Sequence, residues 1–352
     1  MRVLISSLPI GTGHDIAAQA LAEAAFQQGW QVEFSNHLVA AARMETGLYF
    51  LGLRYVAGLY GRAFRWEDRT GFNWSRHRNH WKAIGDRTLP EIYREYRPDV
   101  VIATHPFALN AWAAIRQRHS SLRIVGVLTD LSVHRYWYEP DADAYTVWLP
   151  EQVGDLTRFG VPASKIHATG IPIRESFQEA SLPLPVYDRG PIILLGGGLG
   201  MGPYSRILRE LSQVEWPLVA VCGHNEKLRW KLSEERWPEH VTIAGYIENM
   251  PVFLRHAKLV AGKPGGVTAA EVAQSGVPWI VSHWIPGQEE INRDRLVSHQ
   301  LATVTGNVGL RARVVDLLND YSPNRRSMIE NQRLWARPLA ARHIIELLPA
   351  LF

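Results

Sequence analysis

Residues 257–281 read "AKLVAGKPGGVTAAEVAQSGVPWIV": an apolar run ending at Gly262, the turn Lys263-Pro264-Gly265-Gly266, an alanine-rich segment carrying Glu271, and a second apolar run after Gly276. The spacing predicts strand, glycine turn, helix, strand, a unit of a parallel sheet with covering helices. Glycines at the turn let a backbone approach a ligand, because no Cβ stands in the way. A helix start offers unpaired N–H groups and the positive end of the macrodipole, which suits a phosphate. Glu271 lies five residues past Gly266, about 7.5 Å further along a helix. That is the span from a diphosphate to the ribose of the same nucleotide. The letters Thr268-Ala-Ala-Glu271 also read as a capping box, and at this point both readings stand.

Outward from this stretch the same rhythm recurs. The runs Arg2–Ser7, Gln31–Asn36, Asp99–Thr104 and Arg123–Asp130 read as strands, and Ile16–Gly29 and Ala108–Arg118 as helices. The rhythm restarts at Pro191 with "PIILLGGGLGMG", after a stretch, Gln178–Pro191, that carries Pro183, Pro185 and Pro191 and reads as a linker. The fold class is α/β, two Rossmann-like domains with a cleft between them, spanning 1–178 and 190–335. A helix near 336–352 is expected to pack back on the first. The segment Glu45–Arg97 breaks the rhythm and reads as a functional insertion or an added helix pair.

Composition narrows the function. The chain has 352 residues, 46% of them hydrophobic, a net charge of +4 and one cysteine, Cys222, so a disulfide framework is ruled out. The start "MRVLISSLPIGTGHD" does not read as a signal peptide, and no run reaches the roughly 18–20 apolar residues of a membrane span. Basic and aromatic residues cluster between Arg43 and Arg97, in a chain with thirteen tryptophans. That mixture suits nucleic acid, an anionic membrane surface or a wet surface around a core. Fourteen histidines form no H-E-x-x-H pattern and no Cys/His cluster, which argues against zinc. There is no G-x-S-x-G frame for a hydrolase. The first loop has Gly11 and Gly13 but Ile16 at the third fingerprint position, and Asn36 where an acid belongs, which argues against a nicotinamide enzyme.

Several residues stand where chemistry is expected. His14 opens a helix beside glycines, as a base, a donor or simply a cap. Asp130 ends the apparent strand "RIVGVLTD", the place where α/β folds put ligand contacts. A second glycine loop, "GGGLGMG", includes Gly197 and Gly198. The turn "IPGQEEIN" gathers Gln288, Glu289 and Asn292, a set of donors and acceptors of the kind that sugar hydroxyls require.

Taken together, "GTGHDIAAQAL", "THPF", "TDLSVHRYWYEPDADAYTV", "GGGLGMG", "VCGHNEKL", "GYIENMPVFL", "KPGGVTAAEVAQSGVPWIV" and "IPGQEEINRDRL" resemble the monogalactosyldiacylglycerol synthases and bacterial diacylglycerol glucosyltransferases. These are GT-B enzymes of glycosyltransferase family twenty-eight. The resemblance implies an inverting transfer of a hexose from UDP-glucose or UDP-galactose to a diacylglycerol-type lipid, without a cofactor, an essential metal or nucleic acid. It implies a cytoplasmic protein, peripheral on the inner face of the cell membrane. It assigns the nucleotide sugar to Gly11, Gly13, Gly197, Gly198, Gly223, Tyr246, Ile247, Gly265, Gly266, Val267, Thr268, Glu271, Gln288 and Glu289. Within that set Glu271 takes the ribose, Tyr246 and Ile247 the uracil, and Gln288 and Glu289 the sugar. Catalysis falls to His14 and Asp130. Membrane and acceptor contacts fall to Arg54, Arg62, Arg65, Trp66, Trp74 and Trp81. Three departures stand out: Leu8-Pro9-Ile10-Gly11-Thr12-Gly13 where relatives often carry three glycines before the His, Asn36, flanked by His37, where many relatives have an Asp, and His224 where Arg or Lys is common. A polyprenyl or soluble acceptor, a UDP-sugar epimerase of the same fold, and a nucleotide-binding module without turnover are the alternatives.

Overall fold

The computed structural model describes residues 1–8, 11–35, 37–177, 190–305 and 309–352, and over 42–57 it describes the backbone alone. The linker assigned to Gln178–Pro191 therefore lies outside the described residues as far as 189. So do Pro9, Ile10, Asn36 and the side chain of Arg54. Two compact units result: Met1–Glu175 with Pro286–Gln288 and Arg337–Phe352, and Ser176–Ile285 with Glu289–Ala336.

The N-terminal unit runs β1 (Arg2–Ser6), α1 (Gly13–Gln27), β2 (Gln31–Ser35), α2 (Val39–Thr70), α3 (Trp74–Thr88), α4 (Pro90–Tyr96), β3 (Val100–Ala103), α5 (Pro106–Arg118), β4 (Arg123–Val127), β5 (Ala144–Val147), α6 (Pro150–Phe159) and β6 (Ile166–Ala168). All six strands are parallel, in the order β2-β1-β3-β4-β5-β6. Side chains alternate across a strand, so a sheet covered on both faces needs apolar residues at successive positions. The chain supplies them. Leu4 and Val101 pack on one face with Trp81, Trp112 and Leu109. Val3, Ile5, Ile102 and Val125 pack on the other with Leu21 of α1 and with Ile344 and Ile345 of a final helix, Ala340–Leu347.

The insertion holds three helices rather than a pair, α2 alone being 32 residues long. Trp81 of α3 is fully buried in the core, so its assignment to a lipid-facing surface is corrected. At i and i+3 from Trp81, Ile84 joins the same buried stripe, the pattern by which a helix meets a sheet.

The C-terminal unit runs β7 (Ile192–Leu195), α7 (Tyr204–Leu211), β8 (Leu218–Val221), α8 (Glu226–Glu234), β9 (Val241–Ala244), α9 (Met250–His256), β10 (Leu259–Gly262), α10 (Gly266–Ser275), β11 (Trp279–Val281), α11 (Gln288–Ser298), β12 (Thr303–Val304), α12 (Leu310–Leu318) and α13 (Pro323–Trp335). Its parallel sheet has the order β9-β8-β7-β10-β11-β12. In each sheet the chain first winds one way and then crosses back, so neighbouring strands diverge at a switch point. That point lies between β1 and β3 in one unit and between β7 and β10 in the other. Loops leaving the carboxyl ends of such a pair splay apart and open a crevice.

Candidate functional site

At the β7/β10 switch point two loops emerge side by side, because Leu195 and Gly262 pair in register at the strand ends. The β7 loop contains Gly197 with φ of 71° and Gly200 with φ of 55°, values that a Cβ would strain. Gly197 Cα faces Lys263 of the other loop: a Cβ there would come within 2.9 Å of Lys263 Cε. The peptide N–H of His224 donates to Gly198 O at 2.8 Å, which ties the β8 loop to the glycine loop and brings Gly223 against it.

The β10 loop leads into α10, whose N-cap is Gly265 and which has no side-chain cap. The capping-box reading of Thr268 and Glu271 is therefore not realised: Thr268 is the third residue of the helix and Glu271 the sixth. Val267 and Glu271 are buried, the latter at 6% exposure, so the carboxylate is held inside the unit, between one and two turns into the helix. Tyr246 is 46% exposed and stacks on His224, ring centroids 4.1 Å apart and planes 18° from parallel. Ile247 follows in the same loop after β9.

The residues assigned together to the sugar part company. Glu289, buried, accepts from Lys263 Nζ at 2.5 Å and from the Ile285 peptide N–H at 2.8 Å. Gln288, which clusters with the N-terminal unit, donates from Nε2 to the Asp130 carboxylate. Asn292 Nδ2 donates to Pro264 O at 2.9 Å and so braces the Pro-Gly-Gly turn from α11. His283 does the same for the β7 loop: its Nε2 lies 2.8 Å from Met201 O. A carbonyl can only accept, so Nε2 carries the proton. Burial holds the His283 imidazole below its usual range and keeps it neutral.

At the β1/β3 switch point, α1 begins at Gly13, three residues before the helix read from the sequence, after Gly11 at φ of 95°. His14 thus sits in its first turn. His14 Nδ1 lies 2.8 Å from Thr104 O, past the end of β3, and 2.8 Å from Thr129 Oγ1, past the end of β4. The carbonyl requires a proton on Nδ1, which leaves the Nε2 lone pair of the neutral ring as the basic site. Asp130 is not at a strand end: β4 stops at Val127. Its place is fixed by the fully buried Gln152 of α6, whose Nε2 donates to Asp130 O at 2.9 Å while its Oε1 accepts from Trp148 and Leu149 N–H. Beside His14 lies His105, ring centroids 4.8 Å apart. His105 caps α5 by accepting from Phe107 N–H at 3.2 Å, and full burial holds it well below the usual histidine range. Lys263, Gln152 and Thr129 were not singled out from sequence. A lysine directly before Pro-Gly-Gly was the one signal available.

The helical insertion is bonded to the segment after β4. Tyr136 OH donates to Glu67 at 2.7 Å, and Arg135 N–H to Asp68 at 2.8 Å. Arg78 and Lys82 bind the buried Glu139 at 2.8 and 3.3 Å, so they are not part of a free basic surface. Trp74 is half-buried, stacked on Tyr138 with Nε1 donating to its carbonyl at 3.2 Å. Arg62, Arg65, Arg69 and Arg76 are exposed, alongside Leu59, Trp66 and Phe72 at 64%, 43% and 68% exposure. Among the described residues no three His, Cys, Asp or Glu side chains are grouped to hold a metal ion, and no helix is long and apolar enough to cross a membrane.

With this geometry in place, residues 14–173 match the family described as monogalactosyldiacylglycerol (MGDG) synthase. An uncharacterized glycosyltransferase, YkoN, of Bacillus subtilis (strain 168) is 27% identical over 304 residues, 84% of this chain and 82% of that protein. A processive diacylglycerol beta-glucosyltransferase of Bacillus mycoides (strain KBAB4) is 32% identical over 224 residues, 60% of this chain and 58% of that protein. The crystal structure of Acinetobacter baumannii MurG superposes with a TM-score of 0.64 at 18% identity, covering 99% of both chains. The two parallel switch-point sheets and these likenesses agree: the chain is a glycosyltransferase of GT-B fold, and its residues 14–173 are similar to the monogalactosyldiacylglycerol synthases.

Proposed function

We propose that the protein moves a hexose from UDP-glucose or UDP-galactose to a hydroxyl of a diacylglycerol-type lipid, with inversion at the anomeric carbon. The observation that carries the donor side is the β7/β10 switch point, where two glycine-bearing loops, a helix start and the buried Glu271 lie on one sheet end. The lipid acceptor comes from the names of the relatives. The acceptor oxygen attacks the anomeric carbon, the bond from that carbon to the diphosphate breaks, and its electron pair leaves with UDP. The acceptor proton goes to His14 Nε2, whose lone pair is available while Thr104 O holds the proton on Nδ1. N–H groups at the start of α10 meet the charge gathering on UDP. Asp130, bonded by Gln288, orients the acceptor. The step as written calls for no divalent cation, so turnover is expected to survive EDTA.

The exposed stripe of α2 gives the protein a way to reach a bilayer lipid at the inner face of the cell membrane. Arg62, Arg65 and Arg69 are spaced three and four apart and share a helix face, beside Leu59 and Trp66 spaced seven apart. Aromatics favour the headgroup region, and each basic residue contributes about 1 kcal/mol at an anionic surface, less in salt.

The deciding experiment is incubation with UDP-glucose or UDP-galactose and diacylglycerol in anionic vesicles, followed by mass spectrometry of the lipids. A hexosyl lipid and lipid-dependent UDP release are expected. Conversion of the UDP-sugar with no acceptor present would show an epimerase instead, and binding with no turnover a module.

A further inference from the structure

Lys263 lies between the two glycine loops. It is the first residue after β10, and its side chain crosses from its own loop to the β7 loop. Its Cε lies against Gly197, and its Nζ would be 3.4 Å from a Cβ on Gly265. The end of the side chain therefore lies against two positions that have no side chain, and the ammonium sits where both glycine loops converge. Its side chain is 16% exposed and that of Glu289 is 9% exposed, with 2.5 Å between Nζ and Oε1.

A lysine so far out of water needs a partner, and Glu289 provides it. An ammonium has three N–H donors, however, and Glu289 takes one. The other two are available to acceptors on the glycine side, where the helix start of α10 also favours negative charge. A Cβ at 197 would press on the end of the lysine from that side, within 2.9 Å of Cε. Glu289 is committed to Lys263 and to the Ile285 peptide, which draws it towards holding the cation rather than gripping a sugar.

We infer that Lys263 is the cation that binds the diphosphate of the nucleotide sugar, held in place by Glu289. This rests on the nucleotide reading of the β7/β10 switch point. Lys263 stabilises the diphosphate in the bound donor and meets the added charge as the sugar departs. It contributes nothing to the nucleoside.

Full-length wild type and Lys263→Gln are titrated with uridine and with UDP by NMR and calorimetry. Lys263→Gln is expected to lose roughly ten- to a hundredfold in UDP affinity, the range of a charge-assisted hydrogen bond, with uridine affinity unchanged. Equal UDP affinity in the two proteins overturns the inference, and so does a parallel loss of uridine and UDP, which marks a structural role. Lys263→Gln leaves Glu289 buried without its cation, so Lys263→Met/Glu289→Gln, which removes both charges, is titrated beside it and is expected to show the same selective loss. Wild type that binds neither ligand refutes the nucleotide reading itself, a failure told apart by that control.

Discussion

At the ends of β1 and β3 the N-terminal unit sets His14, Thr104 and, nearby, Thr129; at the ends of β7 and β10 the C-terminal unit sets Gly197, Lys263 and Gly265. The strand orders have the same kind of reversal, so topology puts a crevice at the same place in both sheets. What fills each crevice differs. One has an imidazole with a fixed tautomer in a group of buried rings, suited to accepting a proton. The other has backbone N–H groups, a cation and carboxylates, suited to phosphates and hydroxyls. The scaffold decides where a ligand goes and the loops decide which ligand.

The difference extends to acid stability, with the largest effect expected in the N-terminal unit. His77 lies between the Tyr136 ring at 4.2 Å and the Phe107 ring at 4.4 Å, and its Nδ1 is buried without a hydrogen-bond partner. Burial first, then neighbouring His80 and His134, outweigh Glu67 and push its pKa down to about 4. The unfolded histidine takes up a proton below about 6.5, while the folded one stays neutral until about 4. Its neutral-state stability is therefore complete above pH 6.5 and is lost as pH falls to 4, by about 3 kcal/mol in all. His105 and His134 are lowered in the same direction by burial, whereas in the C-terminal unit only His283 is among the described residues with such a shift. Urea unfolding at pH 7 and pH 4.5 checks this: His77→Phe should lose markedly less stability than wild type. An identical loss would place the acid sensitivity elsewhere.

Catalysis should separate along the same line. On the proposed mechanism His14→Ala removes the base but nothing from the nucleotide side, so turnover at saturating donor should fall by ~10²-fold or more while UDP affinity holds. Steady-state kinetics and calorimetry on one preparation read both quantities. If UDP affinity falls as well, the assignment of separate roles to the two units breaks. Glu271→Ala is the converse. A buried carboxylate that accepts from ribose hydroxyls contributes about 1.5–3 kcal/mol to UDP binding. Unchanged UDP affinity in folded Glu271→Ala would leave that carboxylate a purely structural role.

The strands were legible in the sequence because both faces of each sheet are covered, so runs such as Ile192–Leu195 are apolar throughout. The opening Lys263–Glu271 turn was legible too, since a helix after two glycines leaves little else. Other features depend on distant residues. Arg78 and Lys82 read as part of the basic, aromatic stretch that suits a membrane surface, yet their partners Glu139 and Asp141 lie some sixty positions along the chain. Trp81 read as an interfacial aromatic because α3 is polar overall, and only its packing against α5 shows which side faces inward. Asp130 read as the end of a strand because Leu128 and Thr129 are β-like, but the strand had already ended at Val127 and Gln152 had taken hold of its backbone.

The smallest expected effect tests how the His14 tautomer is set. Two acceptors share the Nδ1 proton, the Thr104 carbonyl and the Thr129 hydroxyl, each at 2.8 Å. Thr129→Val keeps the shape of this buried side chain and removes only the hydroxyl. If the carbonyl is the principal partner, Nε2 keeps its lone pair, and the loss is one neutral hydrogen bond, about 0.5–1.5 kcal/mol. Turnover should then fall by roughly three- to tenfold, far short of the His14→Ala loss, with UDP affinity unaltered. A merely structural threonine would change stability without changing turnover. A loss as large as that of His14→Ala would mean instead that the hydroxyl, not the carbonyl, fixes the ring, and would make Thr129 the residue on which the base depends.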